Sequence, residues 1–121
     1  MCKRGEIYYV DFGKNYNSYK QSGIRPAVVV SNNKANKNSP VVTVIPLTAR
    51  TWKKRYLPTH VLIPQKVING LDKESMALAE QVETLDKNLL VKKIGEIVDD
   101  MVMEQITVAL QIQIGAYAEY N

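Results

Sequence analysis

Short runs of apolar and β-branched residues, separated by polar loops, fill the chain up to residue 98. Runs of this composition that are bounded by Gly, Pro, Asn or Ser are typical of β-strands. We therefore predict strands at 6–12, 25–31, 41–48, 59–63, 75–84 and 93–98, with helical turns within 32–40 and at 86–90. Pro46 interrupts the third run, and because proline cannot donate to a strand ladder, it predicts a sheet edge or a bulge there.

Helical spacing distinguishes the last segment. Apolar residues recur there at intervals of three and four, from Met103 through Ile106 to Leu110, and Asp99 and Asp100 precede them. Acidic residues are favoured at a helix N-terminus, and Gly115 is a plausible stop. The whole chain, 1–121, is therefore predicted to be one mainly β (α+β) domain, a small barrel of five to seven strands with a C-terminal helix packed on it.

Composition narrows the class of protein. Apolar residues make up 45% of the chain, no apolar run is long enough for a membrane span, and the N-terminus lacks the apolar stretch of a signal peptide. Cys2 is the single cysteine, so no internal disulfide can form. We expect a cytoplasmic protein without a membrane association.

The net charge of +4 conceals an asymmetry between the two halves of the chain. Residues 1–66 hold 12 Lys and Arg against Glu6 and Asp11, which is a balance of +10, whereas residues 67–121 hold 4 Lys against 10 acids, which is −6. A basic half attracts polyanions and indicates nucleic acid, although a soluble surface with unevenly spread charge would show the same numbers.

Two loops of about ten residues combine cations with aromatic rings. Such a mixture is what single-stranded nucleic acid needs, because cations meet phosphates and rings stack on unpaired bases. The alternative is a pair of solvated hairpin tips whose aromatic rings fold back over the core. The candidate RNA-binding residues are Tyr19, Lys20 and Gln21 in loop 13–23, and Arg50, Trp52, Lys53, Lys54, Arg55 and Tyr56 in loop 49–58.

Several kinds of catalytic site are excluded. The basic half carries only two scattered acids, so a two-metal nuclease site is not predicted, and no Cys/His cluster indicates zinc. Walker A and GxGxxG patterns are absent from the sequence. His60 is the only histidine, which excludes a nuclease that uses two histidines from one chain, and its mid-strand position favours a structural role.

The stretch SGIRPAVVVSNN places Arg25 directly before an apolar run, with Pro26 restricting the backbone beside it. A guanidinium clamps a phosphate with two parallel hydrogen bonds and can stabilise charge on a phosphoryl group. RNA supplies its own nucleophile, the 2′-hydroxyl, so positioning and charge stabilisation can cleave it without a metal. The residues leave a structural alternative open, in which Arg25 caps a sheet corner and pairs with Asp11 or a carbonyl.

Five blocks occur in one order along the chain: KRGEIYYVDF, GIRPAVVVSNN, SPVVTVIPLT, LPTHVLI and ALAEQVETLDK. Together they resemble the MazF/PemK mRNA interferases, the toxins of bacterial toxin–antitoxin pairs, over nearly the whole chain, and look most like the chromosomal toxins of Gram-positive bacteria. The resemblance implies an SH3-like barrel of the CcdB/PemK type that works as a homodimer. It also implies ribosome-independent cleavage of single-stranded mRNA at a short sequence, without metal or cofactor.

In that family the 2′-hydroxyl attacks, leaving a 2′,3′-cyclic phosphate and a 5′-hydroxyl. The resemblance places the catalytic arginine at Arg25 in GIRP and the catalytic threonine at Thr48 in IPLT. Arg25 is then expected to transfer a proton and stabilise charge, and Thr48 to hydrogen-bond the scissile phosphate. Base-reading positions of the family fall on Lys20, Gln21, Ser75, Glu80 and Gln81.

The implied partner is a cognate MazE-like antitoxin whose acidic, disordered tail lies along the RNA groove, which suits the basic half of this chain. Relatives often carry an acid before the glutamine of the first loop, where this chain has Lys20. We therefore predict no particular cleavage sequence, and we expect the lysine to strengthen phosphate contact.

Two other functions remain open from the sequence. CcdB-type toxins share the fold and poison DNA gyrase through a C-terminal Trp-containing tripeptide, whereas this chain ends in GAYAEYN. A plain single-stranded RNA-binding module would use the same loops without cutting.

Overall fold

The computed structural model describes residues 1–51 and 57–117. Within these ranges the chain forms eight strands and two α-helices, and short 3₁₀ turns lie at Gln65–Val67, Ala79–Gln81 and Lys87–Leu89. In chain order the elements are β1 (Glu6–Asp11), β2 (Ile24–Val29), α1 (Asn33–Asn38), β3 (Val41–Thr48), β4 (His60–Ile63), β5 (Ile68–Asn69), β6 (Ser75–Leu78), β7 (Glu83–Asp86), β8 (Leu90–Ile97) and α2 (Asp100–Gln113).

The strands pair antiparallel in the order β4-β6-β3-β2-β1-β8-β5, and β7 pairs with β3 off this path. The sheet curls into a nearly closed barrel, and one C-terminal helix packs on it, which confirms the predicted fold class. Neither helix of the described ranges has the length and apolar character that crossing a membrane requires.

Strand β3 connects the strands β2 and β7 with the β4–β6 pair. It pairs with β7 through Val41–Val44 and with β2 through Val44–Pro46, and its last two residues pair with β6. The pairing with β2 ends at Pro46, whose ring removes a backbone donor. Pro46 therefore marks the corner at which β3 leaves one set of partners for another, and Thr48 ends the strand there.

Strand β2 explains why the run after Pro26 is continuously apolar. Val28 belongs to the core cluster shared with α2, whereas Ala27 and Val29 belong to a second cluster on the opposite face. A strand buried on both faces has no polar face to show. The tight packing on both sides fixes the backbone that leads into the candidate site.

Helix α2 begins and ends where the sequence predicts. The Asp99 carboxylate accepts hydrogen bonds from the backbone N–H groups of Met101 and Val102 at 2.8 and 3.3 Å, which caps the helix. Ile106 is fully buried against the barrel, and Gly115 follows the last turn with a left-handed φ of +76°.

The predicted strand at 75–84 is wrong in one respect, because it is two strands. A 3₁₀ turn at Ala79–Gln81 separates β6, which pairs with β4 and the end of β3, from β7, which pairs with the start of β3. The two-residue β5 is the other strand that the sequence pattern missed, so the described ranges hold one strand more than the upper limit predicted. The predicted turn at 86–90 is confirmed as Lys87–Leu89.

Candidate functional site

Arg25 lies in β2, exposed to solvent, two residues before the buried part of the strand. Its Nε donates a hydrogen bond to the carbonyl oxygen of Ser22 at 3.1 Å, which orients the guanidinium. Across 1–51 and 57–117, no hydrogen bond or ion pair engages its two terminal nitrogens. The carbonyl contact of the structural alternative is therefore present, yet the part of the fork that would clamp a phosphate stays available.

Thr48 stands at the position of β3 that corresponds to Arg25 on β2. The last residues paired between these strands are Ala27 and Pro46, so Arg25 and Thr48 each lie two residues beyond that pair. The Thr48 hydroxyl accepts a hydrogen bond from the backbone N–H of Arg50 at 3.1 Å, and its own proton can still be donated. The two residues that sequence analysis assigned to catalysis therefore mark the same end of adjacent strands.

A cavity of about 290 Å³ opens beside this strand end. Thr48 and Ser75 line it, as does Pro26, the neighbour of Arg25. Its complete lining is Tyr9, Pro26, Thr48, Ala49, Leu71, Asp72, Lys73, Ser75 and Ile94. Ser75 is 7% exposed at the start of β6, so of the predicted base-reading residues it is the one placed most directly beside Thr48.

Loop 13–23 contacts the turn between β6 and β7 and the first residue of β7. Gln81 Nε2 donates to the carbonyl oxygen of Tyr19 at 3.0 Å, and Lys20 Nζ lies 3.6 Å from Glu83 Oε1. The side chain of Tyr19 is 99% exposed, whereas the carbonyl of Gln21 accepts a hydrogen bond from Asn15 within the loop. The structure thus brings Tyr19, Lys20 and Gln81 together, with part of the charge of Lys20 balanced by an acid that the sequence did not link to it.

Glu80 points to a different part of the molecule. Its carboxylate accepts a hydrogen bond from the Thr59 hydroxyl at 2.9 Å and contacts His60 Nε2 at 2.6 Å. The His60 side chain is 1% exposed, in agreement with the structural role proposed for it. Neither residue lines the cavity beside Thr48, so base reading by Glu80 would require these contacts to be exchanged for RNA.

Loop 49–58 is described only at its ends. Arg50 is exposed, and the buried hydroxyl of Thr51 donates to Glu74 Oε1 at 3.2 Å, which fastens the start of this loop to the segment before β6. The other predicted RNA-binding residues of the loop, Trp52, Lys53, Lys54, Arg55 and Tyr56, lie outside the described residues.

One wall of the cavity and one aromatic residue beside it were not predicted from the sequence. The wall is formed by Leu71, Asp72 and Lys73, and nothing in their pattern indicates that this polar segment folds over a site. The aromatic residue is Tyr9, which the sequence presents as one of several large residues in a strand. Strict alternation in β1 was the available signal, since Ile7 and Tyr9 share a face that Tyr8 does not.

A charged cluster lies on the other face of β1. The Glu6 carboxylate accepts hydrogen bonds from Lys93 Nζ at 2.8 Å, from the Lys3 backbone at 2.7 Å and from the Tyr8 hydroxyl at 3.2 Å. Burial acts to raise the pKa of Glu6, but the contacts with Lys93 and Lys3 outweigh burial and lower it. Burial, followed by the charge of Glu6, raises the pKa of Tyr8 to about 12. These groups brace the sheet and do not line the cavity.

Metal ligation finds no support among the described residues, which contain no group of three or more His, Cys, Asp or Glu side chains able to hold an ion. The polar residues that line the cavity with Thr48 are Tyr9, Lys73 and Ser75, which offer hydroxyls and a cation, and Asp72, which adds one carboxylate. Hydroxyls and cations bind a phosphate and stabilise added negative charge on it.

Comparison with known proteins gives one consistent family. The sequence model described as "PemK-like, MazF-like toxin of type II toxin-antitoxin system" matches residues 3–114. The chain is 40% identical over 117 residues to Endoribonuclease MazF of Staphylococcus saprophyticus, covering 97% of this chain and 94% of that protein.

Solved structures agree with the sequence comparison. An endoribonuclease in complex with its cognate antitoxin from a mycobacterial species superposes with a TM-score of 0.76 at 28% identity, covering all of both chains. MazF from Deinococcus radiodurans, at 22% identity, shares the fold with a TM-score of 0.75, over 94% of this chain and 96% of that one.

Proposed function

The chain belongs to the PemK-like and MazF-like toxins of type II toxin–antitoxin systems, and on that premise we propose that it is an endoribonuclease that cleaves single-stranded mRNA at a short sequence. The observation that carries this proposal is the placement of Arg25 and Thr48 at corresponding ends of β2 and β3, beside a cavity of about 290 Å³. The named relative at 40% identity, an endoribonuclease, supports the same activity.

Cleavage proceeds by attack of the substrate's own 2′-hydroxyl on the adjacent phosphorus. The 2′-hydroxyl loses its proton as its oxygen bonds to phosphorus, the bond from phosphorus to the 5′ oxygen breaks, and the 5′ oxygen takes up a proton, so that a 2′,3′-cyclic phosphate and a 5′-hydroxyl remain with no net change in protons. Arg25 is the residue proposed to assist this proton transfer. The Arg25 fork stabilises the negative charge that grows on the phosphoryl oxygens, and the Thr48 hydroxyl donates to one of them. The chemistry needs no metal ion, because RNA supplies the nucleophile and the protein supplies positioning and charge.

A homodimer and an antitoxin complete the proposed system. The described part of the chain presents an apolar groove of about 370 Å³ between β4 and α2, lined by Val61, Leu62, Val108 and Ala109 among others. Strand β4 ends the sheet order there, so its outer edge and this groove suit a second copy of the chain. The basic half suits the acidic tail of an antitoxin, and one similar endoribonuclease is known in complex with its cognate antitoxin. We place the protein in the cytoplasm, where mRNA is found.

Dimerisation is tested by analytical ultracentrifugation of the wild-type protein and Leu62→Glu, with Val91→Glu as the matched control. Leu62 lines the groove and is 36% exposed, whereas Val91 lies outside the groove on β8 and is 56% exposed. A charge in the groove is expected to dissociate the dimer, and the control to leave it intact. A dimer that survives Leu62→Glu would place the interface elsewhere.

The catalytic proposal is tested on a long single-stranded RNA incubated with the purified, antitoxin-free protein in excess EDTA. Discrete cuts with cyclic-phosphate ends are expected, and Arg25→Ala should slow them by at least about 100-fold. Thr48→Val should slow them as well, whereas Thr43→Val should not, because Thr43 lies on the same strand but bonds Thr84 away from the cavity.

Near-normal cleavage by folded Arg25→Ala would refute the role of Arg25. Binding of RNA without any cutting by the wild-type protein would indicate a plain RNA-binding module. Inhibition of gyrase supercoiling without RNA cleavage would indicate the CcdB-type function.

A further inference from the structure

Tyr9 is an aromatic residue that the barrel leaves partly uncovered in the middle of β1. Its side chain is 42% exposed, although Tyr8 before it is half-buried and Val10 after it is fully buried. Tyr9 pairs with Pro26 on β2 and with Lys92 on β8, so both neighbours share its face. A large ring held open to solvent between a proline and a lysine is not needed for the packing of either core cluster.

The open ring forms part of the cavity that contains Thr48. Tyr9 lines it together with Ser75 and Ile94. Because Thr48 and Tyr9 line the same cavity, a nucleotide next to a phosphate that contacts Thr48 has the ring of Tyr9 within reach. An unpaired base there meets an aromatic face, and base–aromatic stacking is a general way to hold a single strand.

We propose that Tyr9 stacks on an unpaired base of the nucleotide next to the scissile phosphate, and that Lys92 contacts a phosphate beside that base. The proposal rests on the endoribonuclease function proposed above and adds the residues that hold the substrate. Neither residue belongs to the two long loops, so the binding surface extends from the loops onto the barrel strands β1 and β8.

Lys92 and Lys93 provide an internal comparison. They are adjacent on β8 and carry the same charge, but Lys93 bonds the Glu6 carboxylate at 2.8 Å on the face of Tyr8. Lys92 pairs with Tyr9, is exposed, and has no hydrogen bond or ion pair with any residue that the structure describes. Of these two lysines, Lys92 alone therefore lies on the face of Tyr9 with its charge available for a phosphate, and Lys73 in the cavity wall is a further cation nearby.

The experiment measures the affinity of a labelled RNA oligonucleotide by fluorescence anisotropy. The oligonucleotide contains the mapped cleavage site, with a 2′-deoxynucleotide replacing the nucleophile so that it is not cut. If no site can be mapped, an unstructured single-stranded RNA is used. Tyr9→Leu is expected to weaken binding by about 5- to 150-fold, Tyr9→Phe to stay within about twofold of the wild type, and the control Tyr117→Leu to change nothing.

Two further measurements locate the stacked base and the phosphate contact. Removing single bases from the oligonucleotide should reveal one abasic position at which the affinity of the wild-type protein falls. Tyr9→Leu should bind that abasic oligonucleotide no more weakly than the wild-type protein does, because the two changes remove the same stacking contact. Lys92→Gln should reduce the slope of log affinity against log salt by about 0.7, whereas Lys93→Gln should leave it unchanged.

The outcomes separate this proposal from the catalytic one. Unchanged affinity in folded Tyr9→Leu would overturn the stacking role, even if Arg25→Ala abolishes cleavage. The same holds if the loss of affinity caused by Tyr9→Leu adds in full to the loss caused by the missing base at every abasic position. Loss of affinity in Tyr9→Leu, from a protein that cuts nothing, would support the binding surface and refute the nuclease. If Tyr9→Leu fails to fold, the abasic scan on the wild-type protein decides, since tolerance of every abasic position would refute stacking.

Discussion

A close approach of two backbones supports one wall of the cavity, and Gly95→Ala tests it. A Cβ added at Gly95 of β8 would lie 2.3 Å from the carbonyl oxygen of Asn69, and one added at Gly70 would lie 2.5 Å from the carbonyl oxygen of Ile94. Both obstacles are backbone atoms, which cannot rotate away. The clash is relieved only if β5 and the Leu71–Lys73 wall move off β8.

The magnitude of the Gly95→Ala effect follows from two opposing contributions. Forcing a methyl group into a packed contact costs about 1–3 kcal/mol, and replacing glycine returns about 0.4–1 kcal/mol through the unfolded chain. With an unfolding entropy of about 2.1 cal/mol/K per residue over 121 residues, each kcal/mol lowers Tm by about 4 °C. The net cost of Gly95→Ala is therefore about 0–2.6 kcal/mol, which lowers Tm by up to roughly 10 °C.

Gly13→Ala and Gly70→Ala separate the cost of the backbone clash from the cost of a left-handed φ. Gly13 has a φ of +75° and nothing within 4 Å of an added Cβ, so alanine there incurs backbone strain alone, about 1 kcal/mol. Gly70 combines a φ of +94° with the clash, so its alanine variant should be the least stable of the three. Thermal unfolding followed by circular dichroism, at one protein concentration because a dimer's Tm depends on it, gives the order. If Gly70→Ala unfolds at or above the Tm of Gly13→Ala, the backbone contact does not constrain the wall.

Three further predictions concern stability. The lowered pKa of Glu6 means that its carboxylate stabilises the fold at pH values above its ordinary pKa of 4.5, and that this contribution is lost as pH falls through the pKa of the folded state. In urea unfolding measured across acid pH, the free energy of unfolding should therefore fall less steeply for Glu6→Gln than for the wild type. Parallel curves for the two proteins would contradict this. With the pKa of Tyr8 raised to about 12, tyrosinate absorbance should show one late ionisation that Tyr8→Phe lacks, and an unchanged titration would refute it. Asp99→Ala removes the cap of α2 and should cost about 0.5–2 kcal/mol by chemical denaturation, more than Asp100→Ala, and equal losses would exclude capping as the cause.

Strand and helix positions were predictable where one local rule decides them. The apolar run after Arg25 and the segment at 41–48 became β2 and β3, and the acidic start and Gly115 delimited α2. The segment 75–84 was wrongly predicted as one strand because its alternation of apolar and polar residues continues through Ala79–Gln81, where the chain turns from one set of strand partners to another. That turn is set by pairing with β3 and β4, which local alternation does not encode.

The candidate site was predictable in its end points but not in its surface. Arg25 and Thr48 were identified through the family resemblance; each lies two residues beyond the last β2–β3 pair, and their catalytic roles stay a prediction. Glu80 was assigned through the family resemblance together with Gln81, and only the fold shows that it contacts Thr59 and His60. Tyr9 was overlooked for the opposite reason, because its exposure depends on which neighbours cover the β1 face rather than on its own strand pattern.

Every residue of strand β3 from Val41 to Thr48 is paired with a neighbouring strand, whereas loop 13–23 is fastened to the β6–β7 region through a glutamine and one exposed ion pair. Exposed ion pairs contribute little, so the loop can be rebuilt by substitution at low cost to the barrel. The two parts can therefore diverge at different rates during evolution. If the proposed function holds, a lineage could acquire a new cleavage sequence by exchanging loop residues such as Lys20 while Arg25 and Thr48 stay as they are, and a partner antitoxin would have to change only where it contacts the loops.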